Sequence, residues 1–272
     1  MPNKELSNIT LGSALRGDEI FYGEQDGNSR RFTASMIAAL NRELAAQTVL
    51  PVADAAAIDA QGVRTQAIAA SAPIASPCVS TNLLTSLRRT NYGGNAGAAH
   101  SAGFYVDGPS LYLGDVADRG GFDVSFGLGL EVLNAAAQTR YFGGLLGETD
   151  PAGLEPSALV NMIGIGADLA DNTLQLMRNN GAGAATKIDL GWPGKTAGEA
   201  WMLRLTADPN AQLITYLVTR LSDGDTVEGT FATEMPVATV FMGPCLYNNN
   251  GAGGGAGVRT PFLGYVGRAR SL

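Results

Sequence analysis

The segment FDVSFGLGLEV, residues 122–132, alternates large apolar side chains with small or polar ones. Because successive side chains of a strand point to opposite faces, this pattern predicts a strand with one buried face and one face turned to water or a partner. An α-helix does not suit the pattern, because its side chains repeat every 3.6 residues. This part of the chain is therefore predicted to lie in a β-sheet.

Similar short strand candidates, separated by turn residues, fill residues 101–272. No helical pattern alternates with them, which excludes a parallel α/β sheet, and no repeat typical of a β-helix recurs. The region predicts a mainly β fold, an antiparallel two-sheet sandwich that should fold without the first hundred residues. The segment AQLITYLVTRL, residues 211–221, is apolar on both faces and is predicted to be a central strand.

Residues 1–46 differ from this region and predict a small hairpin-plus-helix module. EIFYGEQ and SRRFTA read as two strands, and the DGN between them is a hairpin turn signal. SMIAALNRELAAQ then places its apolar residues on one side of a helix. So small a module has too little apolar core to be stable alone. We therefore expect it to pack against another chain.

Residues 47–100 are rich in Ala and Ser, poor in large apolar residues and interrupted by Pro51, Pro73 and Pro77. We interpret them as a connector whose structure depends on its neighbours. A disordered linker is the competing interpretation.

Charge and targeting signals exclude several functions. The net charge is −7, only three residues are Lys, and no basic run exists, so a nucleic-acid-binding role is not expected. The N-terminus lacks a signal-peptide layout and no run of about 18 apolar residues occurs, so no membrane insertion is expected. The two cysteines form no CxxC motif, which argues against a zinc site.

The residues offer little for catalysis, and we expect a protein that is not an enzyme, with no catalytic residue, cofactor or metal. His100 is the single histidine and lies in a Gly/Ala-rich loop. Asp168, Asp171 and Asn172 suit either turn capping, which we favour, or a calcium site. The acids available for a two-carboxylate glycosidase pair are Glu148, Asp150, Glu155, Asp168, Asp171 and Asp189.

The sequence NNGAG occurs twice, at residues 179–183 and 249–253. Asn-Gly supplies the positive φ angles of tight turns, so both copies are predicted to be hairpin tips. The functional interpretation is that the tips present amide and backbone groups to a ligand. The candidate ligand-binding residues are Asn179, Asn180, Trp192, Tyr247, Asn248, Asn249 and Asn250.

The N-terminal run ALRGDEIFYGEQDGNSRRFTASMIAAL resembles a short module at the start of many bacteriophage virion proteins, with Gly17, Asp18, Glu19, Ile20, Gln25 and Gly27 matching. In tail fibres and similar appendages this module is the end that attaches to the virion. The resemblance implies attachment through Asp18, Glu19, Ile20, Phe21, Gln25, Phe32, Met36, Ile37 and Leu40.

The C-terminal region resembles the concanavalin-like sandwich at the ends of phage tail proteins. The likeness covers roughly residues 101–260 and includes GGFDVSFGLGL, TRYFGGLLG and YLVTRLSDGDTVEGTFATEMPVATVFMGPCLYNNNGA. It implies a jelly-roll or lectin-like sandwich that contacts a host surface glycan or protein.

Together the two resemblances imply a structural protein of a phage virion, made in the host cytoplasm. The favoured interpretation is a tail fibre or receptor-binding protein, a homotrimer whose N-terminal module binds other phage tail or capsid proteins. A capsid decoration (cement) protein that stabilises the head is the alternative. A glycan-cleaving tailspike is the least favoured interpretation.

Overall fold

The computed structural model describes residues 20–25, 28–33, 47–50, 59–60, 63–68, 74–93, 101–107, 109, 111–131, 139–147, 151, 155–249 and 258–270. The chain divides into two compact units, Met1–Gln47 and Thr48–Leu272. Among the described residues, no helix has the length and apolar character needed to cross a membrane.

The first unit contains an antiparallel hairpin of β1 (Ile20–Gln25) and β2 (Asn28–Thr33). Its register pairs Gln25 with Asn28, so the strands predicted for the N-terminal module are confirmed. Four of the implied attachment residues lie in these strands: Ile20, Phe21, Gln25 and Phe32. The predicted helix and the other five, Asp18, Glu19, Met36, Ile37 and Leu40, lie outside the described residues.

The second unit contains two antiparallel sheets, which confirms the predicted mainly β fold. Sheet I has the spatial order β13 (Thr186–Pro193), β12 (Thr173–Asn179), β11 (Met162–Ala167), β10 (Arg140–Leu146), β17 (Gly243–Asn249), β8 (Ser101–Asp107), β5 (Val63–Ile68) and β4 (Asp59–Ala60). Sheet II has the order β16 (Thr226–Phe231), β15 (Ile214–Arg220), β14 (Glu199–Ala207), β9 (Phe122–Leu130), β18 (Arg259–Ala269), β7 (Arg89–Gly93) and β6 (Ile74–Ser76), and β3 (Gln47–Leu50) also pairs with β18. The short helix α1 (Leu83–Ser86) and a 3-10 turn at Pro156–Ala158 complete the described elements.

The core lies between the two sheets and is rich in aromatic rings. Phe104 of β8 meets Phe262 of β18 edge to face, with ring centroids 5.0 Å apart, and Phe126 of β9 lies 5.6 Å from Phe262. The alternation predicted for β9 is confirmed, because its large apolar side chains all face this core. Such aromatic contacts contribute about 0.5–1.5 kcal/mol each beyond the apolar area that they bury.

The opposite face of β9 explains its glycines. A Cβ atom at Gly129 would lie 2.6 Å from Cδ1 of Leu84, and a Cβ atom at Gly127 would lie 2.8 Å from Sδ of Met202. Leu84 of α1 is fully buried there. Small residues on this face therefore let α1 and its flanking chain pack directly on the sheet.

The structure corrects the interpretation of residues 47–100 as a connector. Strand β5 pairs with β8 in sheet I, and β7 pairs with β18 in sheet II. Tyr92 of β7 is fully buried, with its ring centroid 5.3 Å from that of Phe104. Backbone hydrogen bonds to distant strands and a few buried side chains, Tyr92 and Ile68, hold these strands. The sandwich therefore begins well before residue 101.

A second correction concerns residues 211–221, which were predicted to form a central strand. Strand β15 lies next to the edge strand β16. Leu217 is only partly buried, and Leu213 before the strand is 47% exposed. Apolar residues on both faces here reflect an exposed apolar surface rather than burial on both sides.

Truncation of the chain tests where the sandwich begins. A chain of residues 48–272 should unfold cooperatively, with a melting temperature close to that of the full-length protein. A chain of residues 101–272 should show no cooperative transition, because it lacks β5, β6 and β7 and the buried side chains of Tyr92 and Leu84. Losing each large buried side chain costs about 2–5 kcal/mol, out of a typical total of about 5–15 kcal/mol. Circular dichroism melting measures both, and a cooperative melt of residues 101–272 would contradict the boundary.

Candidate functional site

The first predicted tip is a hairpin turn whose amides serve the turn itself. Nδ2 of Asn179 donates to the carbonyl oxygens of Leu159 and Gly183, each at 2.8 Å, and its Oδ1 accepts from the N–H of Gly181 at 2.7 Å. Asn179 is only 2% exposed. Oδ1 of Asn180 accepts from the N–H of Ala182 at 2.8 Å. The tip between β12 and β13 is confirmed, but these side-chain groups are engaged in shaping it.

The strands around the second NNGAG copy do not form a hairpin, which corrects that prediction. The copy begins at the last residue of β17 in sheet I, and the next strand, β18, belongs to sheet II. Tyr247 and Asn248 are fully buried, and Asn249 nearly so. Nδ2 of Asn248 donates to the carbonyl oxygen of Tyr92, and Nδ2 of Asn249 donates to Oγ of Ser101. These side chains bind the sandwich together instead of facing a ligand.

The remaining candidate residues do not form a surface with these asparagines. Trp192 lies in the core between the sheets. Asn250, His100, Glu148 and Asp150 lie outside the described residues. The proposed ligand surface of amides, Trp192 and Tyr247 is therefore not assembled by the described part of the fold.

The acidic turn at residues 168–171 is closed by a lysine. Nζ of Lys187 lies 2.7 Å from Oδ2 of Asp168 and 2.6 Å from Oδ2 of Asp171. Oδ1 of Asp168 accepts from the N–H of Ser157, and Oδ2 of Asp171 accepts from the N–H of Asp168, each at 2.9 Å. Burial alone would lower the pKa of Lys187, but the two carboxylates outweigh it and raise that pKa.

This geometry fits turn capping and does not fit calcium. The ammonium group occupies the point on which both carboxylates converge, where a cation would have to sit. No group of three or more His, Cys, Asp or Glu side chains within the described ranges is arranged to hold a metal ion. Of the remaining acids, Glu155 pairs with Arg140, and Asp189 accepts from the N–H of Gly191 in a local turn.

A better candidate for a binding site lies in the loops at the opposite end of the sandwich from residues 168–171. We call it the loop face, and it consists of residues 111–121, 159–161, 180–185, 208–213 and 232–242. Its most distinctive feature is an aromatic pair, the half-buried Tyr112 and the exposed Phe241, with ring centroids 4.7 Å apart and planes inclined by 39°. Phe241 is 49% exposed.

Apolar side chains extend the aromatic pair. Val116 is 49% exposed and Val237 is 44% exposed. The N–H of Gly114 donates to the carbonyl oxygen of Ala238 at 2.9 Å, which holds the loops bearing these residues side by side. Several exposed apolar side chains on neighbouring loops are a common feature of interaction sites.

The loop at residues 112–121 is tightly closed. The N–H of Gly121 donates to the carbonyl oxygens of Tyr112 and Leu113, at 2.9 and 3.1 Å. Gly114 has a φ of 93°, and a Cβ atom there would lie 1.9 Å from the carbonyl oxygen of Arg119, so only glycine fits. Residues 115–119, between these contacts, are all exposed. The loop therefore presents Asp115, Asp118 and Arg119 on a preorganised backbone.

Unusual backbone conformations are concentrated on the loop face. Among the described residues, four residues other than glycine have a positive φ angle: Asp118, Asn161, Asn210 and Glu234. All four belong to the loop face. Such conformations carry a local energetic cost and tend to occur in turns and at functional sites. Asn161 also shapes the surface, because its Oδ1 accepts from the N–H of Val237 at 3.1 Å.

A shallow groove of about 320 Å³ lies beside the loop, and its lining includes Asp208, Asn210, Gln212, Leu213, Thr215 and Arg270. Asp208 and Arg270 form an ion pair. On the neighbouring face of sheet II, Arg204 donates from Nε and Nη2 to the Asp123 carboxylate at 3.1 and 3.0 Å. The hydrogen bond from Arg204 is the largest cause of a lowered pKa for Asp123.

The sequence contained one overlooked signal for this surface. The run GDVADRGG, residues 114–121, places acids and an arginine between glycines, which is typical of a tight, exposed loop. Nothing in the local sequence places Phe241 beside Tyr112, because the two residues are far apart in the chain.

Comparison with known proteins identifies the fold of this chain but not a family. No family model matches the chain, and no curated protein matches it. A solved structure of peanut lectin with a nine-residue peptide superposes with a TM-score of 0.51 at 10% identity, covering 76% of this chain and 93% of the lectin. The fold is a lectin-like β-sandwich.

Two further structures have lower scores. Lectin II from Ulex europaeus has a TM-score of 0.48 at 11% identity, covering 83% of this chain and 98% of the lectin. A protein of unknown function from Shewanella oneidensis MR-1 has a TM-score of 0.49 at 8% identity, covering 88% of this chain and 94% of that protein. Likenesses at such low identity concern the fold alone.

Replacing Lys187 tests its role in the acidic turn. Lys187→Met should lower the free energy of unfolding by about 1–3 kcal/mol, because it leaves two mostly buried carboxylates without their cation. As a control, Arg204→Met removes a cation that is 56% exposed, and Arg268 remains 3.7 Å from the Asp123 carboxylate, so this change should cost about 0–1 kcal/mol. Urea unfolding measures both.

Calcium provides the complementary measurement. Because the ammonium group occupies the cation position, the melting temperature of the wild-type protein should not change when CaCl₂ or EDTA is added. A calcium-dependent melting temperature, or a Lys187→Met variant as stable as the wild type, would contradict this account.

Proposed function

We propose that this chain is a structural protein of a bacteriophage virion, a tail fibre or receptor-binding protein that binds a host surface glycan through the loop face. The observation that carries the proposal is the contact between the half-buried Tyr112, at the start of the closed loop, and the exposed Phe241 of a neighbouring segment. The N-terminal resemblance to virion-attachment modules supplies the phage part of the proposal.

The chemistry of the loop face suits a sugar. A sugar ring has an apolar C–H face, which packs well on an aromatic ring, and hydroxyl groups at its edge, which need hydrogen-bonding partners. Phe241 and Tyr112 offer the aromatic surface. Asp115, Asp118 and Arg119 offer exposed acceptors and donors on the adjoining loop. Apolar and polar groups therefore lie side by side in the combination that a glycan requires.

Four of the described acids have environments that favour binding over cleavage. A glycosidase needs a carboxyl group that stays protonated, which requires a raised pKa. Asp123 and Glu199 have lowered pKa values instead, chiefly because Arg204 and Arg220 hydrogen-bond to their carboxylates. Asp168 and Asp171 are held by Lys187. We therefore propose a protein without catalytic activity.

The proposal includes a place in the virion and self-association. The N-terminal module would bind another tail or capsid protein, and the chain would assemble into a homotrimer after synthesis in the host cytoplasm. Light scattering on the purified protein should then give three times the chain mass of 28.1 kDa. A monomer at micromolar concentration would contradict the trimer and leave the glycan proposal untouched.

Replacing Phe241 tests the glycan site. Phe241→Ala should weaken binding of purified protein to host envelope polysaccharide about thirtyfold, which corresponds to about 2 kcal/mol for an interface hot spot. Stability should change by no more than about 1 kcal/mol, because the side chain is about half exposed. The matched control is Leu83→Ala on α1, another exposed apolar residue outside the loop face. Calorimetric titration measures the affinities.

Phage particles carrying Phe241→Ala distinguish the alternatives. A tail fibre variant should assemble normally and adsorb poorly to the host. Normal adsorption together with loss of head stability when the protein is removed would instead indicate a capsid decoration protein. Release of sugar fragments from the polysaccharide by the purified protein would indicate a tailspike enzyme.

A further inference from the structure

The groove beside the loop at residues 112–121 has the composition of a second sugar site. Thr215 supplies a hydroxyl group, and Asn210 and Gln212 supply amides. Leu213 is 47% exposed and adds an apolar surface. The volume of about 320 Å³ lies at the lower end of the range for small-molecule sites, about 300–1,000 Å³. The groove is thus suited to a short segment of a hydroxyl-rich chain.

One loop connects the groove to the aromatic pair. On one side, the N–H of Gly114 donates to the carbonyl oxygen of Ala238 at 2.9 Å, in the segment that carries Phe241. On the other side, the N–H of Asn210 donates to the carbonyl oxygens of Leu113 and Arg119, each at 3.0 Å. The groove and the aromatic pair are therefore held at a defined separation by backbone hydrogen bonds.

The C-terminal end of β18 strengthens this connection. The N–H of Arg270 donates to the carbonyl oxygen of Gly121 at 3.0 Å, and its guanidinium pairs with Asp208 across the groove lining. A Cβ atom at Gly121 would lie 2.6 Å from the N of Pro209, so the loop and the groove are in direct backbone contact. The two surfaces should act as parts of one binding face.

We propose that the groove is a second subsite for the same glycan, so that the ligand is an extended polysaccharide bound along several consecutive sugars. The inference rests on the proposed glycan binding at Tyr112 and Phe241 and adds the ligand class. A single terminal sugar can occupy only one of the two subsites. A chain that reaches both gains the second contact at high effective concentration.

The test uses a ladder of oligosaccharides made by partial hydrolysis of host envelope polysaccharide, titrated into the full-length protein. Affinity should rise by about 10²-fold or more once the oligosaccharide is long enough to span both subsites, and then level off. Thr215→Tyr fills the groove from an exposed strand position that tolerates an aromatic residue. This variant should bind short oligosaccharides with wild-type affinity. Its rise in affinity from short to long oligosaccharides should be at least about tenfold smaller than that of the wild type.

Thr226→Tyr is the matched control, because Thr226 is also an exposed strand threonine and does not line the groove. It should follow the wild type at every length, and melting curves should show that both variants fold. Wild-type affinity that does not depend on length would overturn the extended ligand. A full gain with length in Thr215→Tyr would overturn the groove as the second subsite. Binding that survives Phe241→Ala unchanged would instead refute the proposed glycan site itself.

Discussion

The edge-to-face contact of Phe104 and Phe262 joins the two sheets, and the architecture depends on the aromatic layer around it. Tyr92 and Phe126 pack against this contact, Tyr265 packs against Phe126, and each is almost fully buried. The layer draws on strands from widely separated parts of the chain. The aromatic layer is therefore complete only when β7, β8, β9 and β18 are all in place.

A rigid sandwich explains why its loops can be shaped for binding. The loops at this end bond to one another through backbone groups, as in Gly114 with Ala238, and through side chains such as Asn161. Positive-φ residues such as Asp118 and Asn210 are tolerated because the strands on either side hold the loop ends. Exposed aromatic side chains in such loops cost little stability and remain available to a partner.

Many charged side chains, unlike the exposed aromatic ones, bind other parts of the same chain. With 16% charged residues, the chain uses many of them in internal pairs, such as Lys187 with Asp168 and Asp171, and Arg220 with Glu199. Arg89 contacts Glu131 and donates to the carbonyl oxygens of Thr85 and Leu87, which fastens the segment around α1 to sheet II. These pairs hold turns and covering segments in place.

The sequence by itself determined the local structure: the strand character and inward face of β9, the β1–β2 hairpin and the turn at residues 179–183. Period-two alternation and Asn-Gly turns act over a few residues, so they can be read directly from the chain. Only the tertiary structure decided that β5 and β7 join the sheets, that Asn248 is buried and that Tyr112 meets Phe241. Each of these depends on which distant segments pack together, and short strands with few large side chains do not specify their partners. Lys187 is a further example. The acids of the turn could be identified from the sequence, but only the fold shows that Lys187 lies between Asp168 and Asp171.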